Sequence, residues 1–316
     1  MIRRLVLSLL LMSFGLVEHP ALARGMRNGA ADHESLPRID VSRAIELATG
    51  YLERACSVDG KFVYEINTET GRESSDYNIL RHEGAMYALA MANHAHPDPK
   101  AVDAMVRAAK FLRKNYIGPG IRPDQLVVWS RPLTETSENQ YADLGGTGLG
   151  LVALAVVRKF DPNLVPLSDL QAMGRFALFL QKDDGSFVHK YSRQSGPLAT
   201  QWESLYYPGE AALGFISLYE LDHSRQWLFA AARAISYLAK KRAHLSVVPP
   251  DHWALIATAS LFPYLNQIES TTSQEQLLQH AIQICGSIVH DQFRGAAAVG
   301  LNGAFDAAGR TAPAAA

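Results

Sequence analysis

The feature that most constrains this chain is a segment that occurs twice. Val58-Asp59-Gly60-Lys61-Phe62-Val63 follows one amphipathic stretch, and Asp183-Asp184-Gly185-Ser186-Phe187-Val188 follows another. Each leads through a loop to a helix start that carries a glutamate. These starts are Arg81-His82-Glu83-Gly84-Ala85 and Pro208-Gly209-Glu210-Ala211-Ala212. Gly60 and Glu83 are 23 residues apart, and Gly185 and Glu210 are 25 apart. A unit of this length cannot bury its own apolar face, so repeated two-helix units stack as hairpins. Asp-Gly is a turn signal, which gives Asp59 and Asp184 a structural reading.

The helices between these marks fall into two classes. Val41 to Ala55, Pro99 to Asn115, Leu167 to Lys182, Ser224 to Lys241 and Ser273 to His290 each carry one apolar stripe and a charged face. Such helices lie on an outer layer. Asp40 caps the first, Pro99 starts the second and Ser168 caps the third. The segments from Arg81 to Asn93, Asp143 to Lys159, Pro208 to Leu221, and from Pro250-Asp251 onward are apolar on nearly all faces and rich in Gly and Ala. Helices of that kind are buried on all sides. An inner layer inside an outer layer is an all-α architecture, an α/α toroid or an open arc of about nine antiparallel helices with short β-turn excursions.

At 48% hydrophobic and 19% charged residues, the chain has ample material for a core. Its formal net charge of −1, without a basic block, argues against a nucleic-acid partner. The first 23 residues read as a signal peptide. Met1-Ile2-Arg3-Arg4 is a charged start, Leu5 to Val17 an apolar run, and Ala21-Leu22-Ala23 a cleavage site. That run is too short for a comfortable membrane span, so export without stable membrane insertion is expected. Residues 24–38 read as a flexible leader, 39–292 as the toroid domain and 293–316 as a poorly ordered Gly/Ala-rich tail. Cys56 and Cys285 are read either as buried thiols or as a bridge between the first and last helices. Neither a metal-ligand spacing nor a cofactor motif is present. Gly148-Leu149-Gly150-Leu151-Val152-Ala153 matches G-x-G-x-x-A, but no strand precedes it, so its glycines serve helix packing.

Arg81-His82-Glu83-Gly84, the Leu144-Gly145-Gly146 helix start, both Asp-Gly-x-Phe turns and Tyr206-Tyr207-Pro208-Gly209-Glu210 together resemble the six-hairpin glycosidase-like superfamily of α/α toroids. The resemblance covers roughly residues 41–290. It implies glycoside hydrolase, polysaccharide lyase or epimerase chemistry in a groove where the inner helices begin. Six hairpins imply twelve helices, and the periodicity yields nine, so the chain reads as a C-terminally shortened member.

Alternating hairpins make every inner helix point the same way, which gathers the starts at one rim. Each carries an acid: Glu83, Asp143, Glu210 and Asp251. Acids in first turns are also explained by capping and the helix dipole. Glycoside hydrolysis needs a proton-donating carboxyl and a second carboxylate, and Glu83 with Glu210 is the expected pair, with Asp143 in reserve. His82 is read as a base or as a structural hydrogen-bonder. Arg81 has the geometry to clamp an anionic sugar substituent. Asp76 and Asn78 lie on the loop entering the second helix, and Trp202, Tyr206, Tyr207, His252 and Trp253 supply sugar-stacking faces or junction packing. The expected partner is a poly- or oligosaccharide, anionic if Arg81 acts as a clamp. A non-catalytic glycan- or peptide-binding toroid is the alternative. A terpenoid- or lanthionine-type cyclase ranks last, because neither an Asp-rich cation motif nor a Cys/Cys/His zinc set is present.

Overall fold

The computed structural model describes residues 41–67, 69–135, 140–198, 202–268 and 272–292, together with the backbone of 305–307 and 310–312. The signal peptide, the leader, the Asp40 cap and most of the tail lie outside the described residues. Nine α-helices are found among them: α1 (Val41–Ala55), α2 (Ile79–Ala95), α3 (Pro99–Asn115), α4 (Leu144–Val157), α5 (Leu167–Phe179), α6 (Tyr207–Asp222), α7 (Arg225–Arg242), α8 (His252–Leu261) and α9 (Gln274–His290). The strands are short. β1 (Ile117–Pro119) pairs with β2 (Leu126–Val128), while β3 (Tyr141–Asp143), β4 (Lys190–Ser192) and β5 (Gly196–Pro197) form a small antiparallel sheet. The tail contributes a hairpin of β6 (Phe305–Ala307) and β7 (Arg310–Ala312). No helix among the described residues is long and apolar enough to cross a membrane.

Helices α2, α4, α6 and α8 form the inner layer, each packed on the next, and α1, α3, α5, α7 and α9 lie outside them. Helix α4 is the centre of this layer, buried at every described position except Val156. Its four glycines cost about 1 kcal/mol each in helix propensity relative to alanine. At Gly148 the neighbouring backbone leaves no room for a side chain: a Cβ there would lie 2.7 Å from Ala211 N, and one on Gly209 of α6 would lie 2.4 Å from Ala254 N of α8. Helix α2 departs from the expectation of burial on all sides. Ala88 is exposed and Met91 is 44% exposed, and a Cβ on Gly84 would meet nothing within 4 Å. Helix α2 packs on α1, α3 and α4, and α8 reaches it through the Trp253–Tyr87 ring contact at 5.6 Å.

The two repeats share their backbone hydrogen bonds. Ser57 N donates to Lys61 O at 2.9 Å and Lys182 N to Ser186 O at 2.7 Å. Val63 N donates to Ala55 O and Val188 N to Leu180 O, both at 2.9 Å. Gly60 (φ 88°) and Gly185 (φ 92°) hold the left-handed turn. A Cβ would lie 2.1 Å from Arg107 O at the first and 2.4 Å from Arg233 O at the second, so each turn sits on the backbone of an outer helix. Asp59 accepts a hydrogen bond from Ser57 and Asp184 accepts one from Ser186, as their structural reading requires.

Caps are local, and Pro99 opens its helix as read. Asp98 caps α3 with Pro99 following, and a capping box of Ser273 and Gln276 opens α9. Ser168 does not cap α5; the N-cap is Pro166, and Ser168 lies inside the first turn. Cys56 is buried and Cys285 half-buried, both as free thiols.

Candidate active site

The four acids of the inner helices meet at one end of the molecule, in four different environments. Asp251 is fully buried and is the one of the four whose side chain caps its helix, accepting from Ala254 N at 3.0 Å. Its other oxygen takes the Arg242 guanidinium at 2.7 Å, also buried, with His280 3.5 Å from Arg242. Burial raises the Asp251 carboxyl, and Arg242 and the backbone N–H groups oppose that. Replacing Arg242 by Met strands this carboxylate without a counter-charge. The expected loss is about 3–5 kcal/mol by chemical denaturation, and the double variant Arg242→Met/Asp251→Leu is expected to recover most of it.

Glu210 and Glu83 are held by the glycines of α4. A Cβ on Gly145 would lie 2.3 Å from Glu210 Oε2, and one on Gly150 would lie 2.8 Å from Glu83 Oε1. Each carboxyl therefore occupies space that a missing side chain leaves. Five residues of helix separate the two glycines, a rise of about 7.5 Å, so Glu83 lies deeper than Glu210. Exposure agrees: Glu83 is 0% and Glu210 4% exposed. Both Glu83 oxygens and Glu210 Oε2 lack a hydrogen-bond partner among the described residues. Burial, reinforced by the Glu210 charge, pushes Glu83 well above the usual carboxylate range. Burial, then the charges of Asp251 and Asp143, push Glu210 up to about 8. At neutral pH Glu210 is therefore a protonated acid.

Asp143 stands at the N-cap of α4 without making a side-chain cap bond. Pairing of β3 with β4 sets Lys190 directly across from it, and Lys190 Nζ lies 3.5 Å from Asp143 Oδ1. Burial raises the Asp143 carboxyl, and the ammonium of Lys190 works against that rise. The ammonium also stands over the ring of Tyr141 at 4.6 Å and that of Trp202 at 5.1 Å.

Aromatic rings frame the acids. Tyr206 contacts His252 with centroids 5.0 Å apart, His252 contacts Trp253 at 5.1 Å, and Trp253 reaches Tyr87 of α2 at 5.6 Å. On the other side Tyr207, Trp202 and His189 form a second group, with Trp202 and Tyr207 at 5.8 Å. Burial, then the neighbouring carboxylates, raise the Tyr207 hydroxyl. Burial lowers His252 to about 4. Trp202 is 51% exposed, and Tyr206, Tyr207, His252 and Trp253 are half-buried.

His82 is buried on the far side of α2 and fully engaged. Its Nε2 donates to Ala108 O at 3.0 Å, a carbonyl that only accepts, so Nδ1 accepts from the Tyr77 hydroxyl at 2.8 Å. Tyr77 in turn accepts from Phe62 N at 3.2 Å. Burial lowers His82 to about 4, which keeps it neutral. The arrangement ties the repeated turn to α2 and α3 and leaves no free ring nitrogen for a substrate. Asn78 caps α2, accepting from Leu80 N and Arg81 N. Asp76 and Arg81 are exposed at the entry to α2, Arg81 lying over the Tyr64 ring at 5.2 Å.

Lys190, His189 and Tyr141 escaped the sequence reading. A signal existed: His189-Lys190 follows the second Phe-Val, where the first repeat has Tyr64-Glu65. Among the described residues no group of three His, Cys, Asp or Glu side chains is arranged to hold a metal ion.

No protein-family model and no curated protein sequence matches the chain. Its fold does match solved structures. The GH76 α-mannanase of Bacteroides thetaiotaomicron superposes with TM-score 0.57 at 10% identity, covering 84% of this chain and 77% of the mannanase. A D-mannose isomerase gives 0.59 at 12% identity, covering 82% and 73%. The cellobiose 2-epimerase of Spirochaeta thermophila gives 0.55 at 14% identity, covering 78% and 70%. The chain has an α/α-toroid fold. These neighbours are carbohydrate-active enzymes, and at such identities they speak for the fold alone.

Proposed function

We propose that this chain is an exported carbohydrate-active enzyme, of the glycoside hydrolase or polysaccharide lyase type, acting at the inner-helix mouth. One observation carries the reading: a carboxyl pushed up to about 8 stands near a second that is paired with a lysine. Two acids whose surroundings separate their protonation states divide naturally into donor and base. Glu210 gives its proton to the glycosidic oxygen as the C–O bond breaks. Asp143, beside the Lys190 ammonium that opposes the rise burial gives its carboxyl, takes a proton from an attacking water in hydrolysis, or from the sugar carbon in elimination. The depth of Glu83 gives Asp143 the role first expected of Glu83, while Glu83 stays beneath with its carboxyl raised well above the usual range. Trp202, Tyr206, Tyr207 and Trp253 present faces to the sugar, and the signal peptide read at residues 1–23 supports a periplasmic or secreted location.

A binding-only toroid is the second reading, favoured by the 4% exposure of Glu210. Incubation with a panel of poly- and oligosaccharides distinguishes the two. New reducing ends or an unsaturated product are expected from the native chain, with a drop of about 10²-fold or more in Asp143→Asn. Glycan binding with no product from any substrate overturns catalysis. Unchanged turnover in Asp143→Asn overturns the role given to that residue.

A further inference from the structure

The setting of Lys190 bears on which sugars enter, and it builds on the saccharide reading above. An ammonium carries three donors and no acceptor. The Lys190 ammonium has one carboxylate at the long limit of 3.5 Å and two aromatic faces, which are weak acceptors. Its side chain is 27% exposed, so solvent reaches it, whereas its partner Asp143 is only 11% exposed. The open side of the ammonium is therefore the side a ligand would approach. Lys182 and Lys241 both act electrostatically on the neighbouring His189, as does the carboxylate of Glu203, which Lys241 engages. Trp202, half exposed and in contact with Lys190, adds an aromatic surface for a pyranose ring. The acids facing it do not repel an anion as their number suggests. Burial raises Glu83 well above the usual carboxylate range and Glu210 to about 8, and Asp251 is matched by Arg242.

We propose that Lys190, with Tyr141 and Trp202 around it, forms a subsite for the carboxylate of an acidic sugar, so that the substrate class is a uronate-containing polysaccharide. A carboxylate arriving from the solvent side completes the coordination of the ammonium while the sugar ring lies against Trp202. A neutral sugar offers the same ring but leaves the ammonium as it is.

The test is binding of the full chain to uronate oligosaccharides and to the same oligosaccharides with their carboxyls reduced to alcohols. Titration calorimetry is the measurement, with the native chain, Lys190→Met and Lys190→Arg compared, and circular dichroism as the folding control. The native chain is expected to prefer at least one acidic oligosaccharide over its reduced form by about tenfold or more. That preference should shrink as salt is added. Lys190→Met should abolish it, and Lys190→Arg should keep most of it. Equal affinity for the acidic and reduced forms overturns the subsite and leaves the saccharide reading standing. Discrimination that survives in folded Lys190→Met overturns the assignment to Lys190. No affinity for either form sinks both this inference and the function on which it rests.

Discussion

Glu210→Gln is expected to make the protein more stable, and increasingly so as pH rises. The sign follows from where the proton sits. The folded-state value of about 8 lies above the ordinary 4.5, so between those two values the folded chain holds a proton that the unfolded chain has released. The stability tied to that proton is fully present below pH 4.5 and is lost as pH climbs to about 8. A glutamine cannot ionise and escapes the loss. Relative to the native chain, the variant should gain about 1 kcal/mol at pH 5 and about 5 kcal/mol at pH 9. For a domain of this size, each kcal/mol moves Tm by about 2–4 °C, so a melting series from pH 5 to pH 9 reads the effect directly. Catalysis should move the other way, with a drop of about 10²–10⁴-fold if Glu210 donates the proton. A variant whose stability gain is the same at both pH values would contradict the raised value of Glu210. Full turnover in the variant would remove Glu210 from the chemistry.

Gly209→Ala, inside an inner helix, should be strongly destabilising. The new Cβ would stand 2.4 Å from Ala254 N and 2.7 Å from Trp253 C, both backbone atoms, so no side-chain rotation relieves it. Helices α6 and α8 must move apart. Alanine's better helix propensity returns about 1 kcal/mol, and overpacking against backbone exceeds that, leaving a net loss of about 3 kcal/mol. The melting temperature should fall by roughly 10 °C. Gly84→Ala is the matched control. It is also inside an inner helix, but its Cβ would meet nothing within 4 Å, and it should stabilise by up to about 1 kcal/mol. A neutral Gly209→Ala would mean that α6 and α8 are not in the close contact described.

The layer order was legible because it rests on local periodicity. A single apolar stripe marks α3 and an unbroken run of apolar and small residues marks α4, and the paired Asp-Gly turns set the hairpin unit. The environment of each acid was not legible, because it depends on residues far along the chain. Asp143 and Lys190 are opposed only because β3 and β4 pair in one register. Asp251 is matched by Arg242 at the end of the preceding helix. The depth of Glu83 follows from its lying against Gly150 rather than from its position in the first turns of α2. The openness of α2 at Ala88 and Met91 was hidden as well, since composition reports what a helix tolerates and not what stands beside it.

The shared turn has a consequence for how this molecule can change. Its hydrogen bonds, its left-handed glycine and the phenylalanine two residues on are common to both halves, and all are spent on seating the turn. The two residues after Phe-Val lie outside the turn's own bonds. One half has Tyr64-Glu65 there and the other His189-Lys190. In the second half they hold work of their own, His189 Nδ1 accepting from Ser204 N at 2.7 Å and Lys190 standing against Asp143, so one frame carries two different sets of side chains.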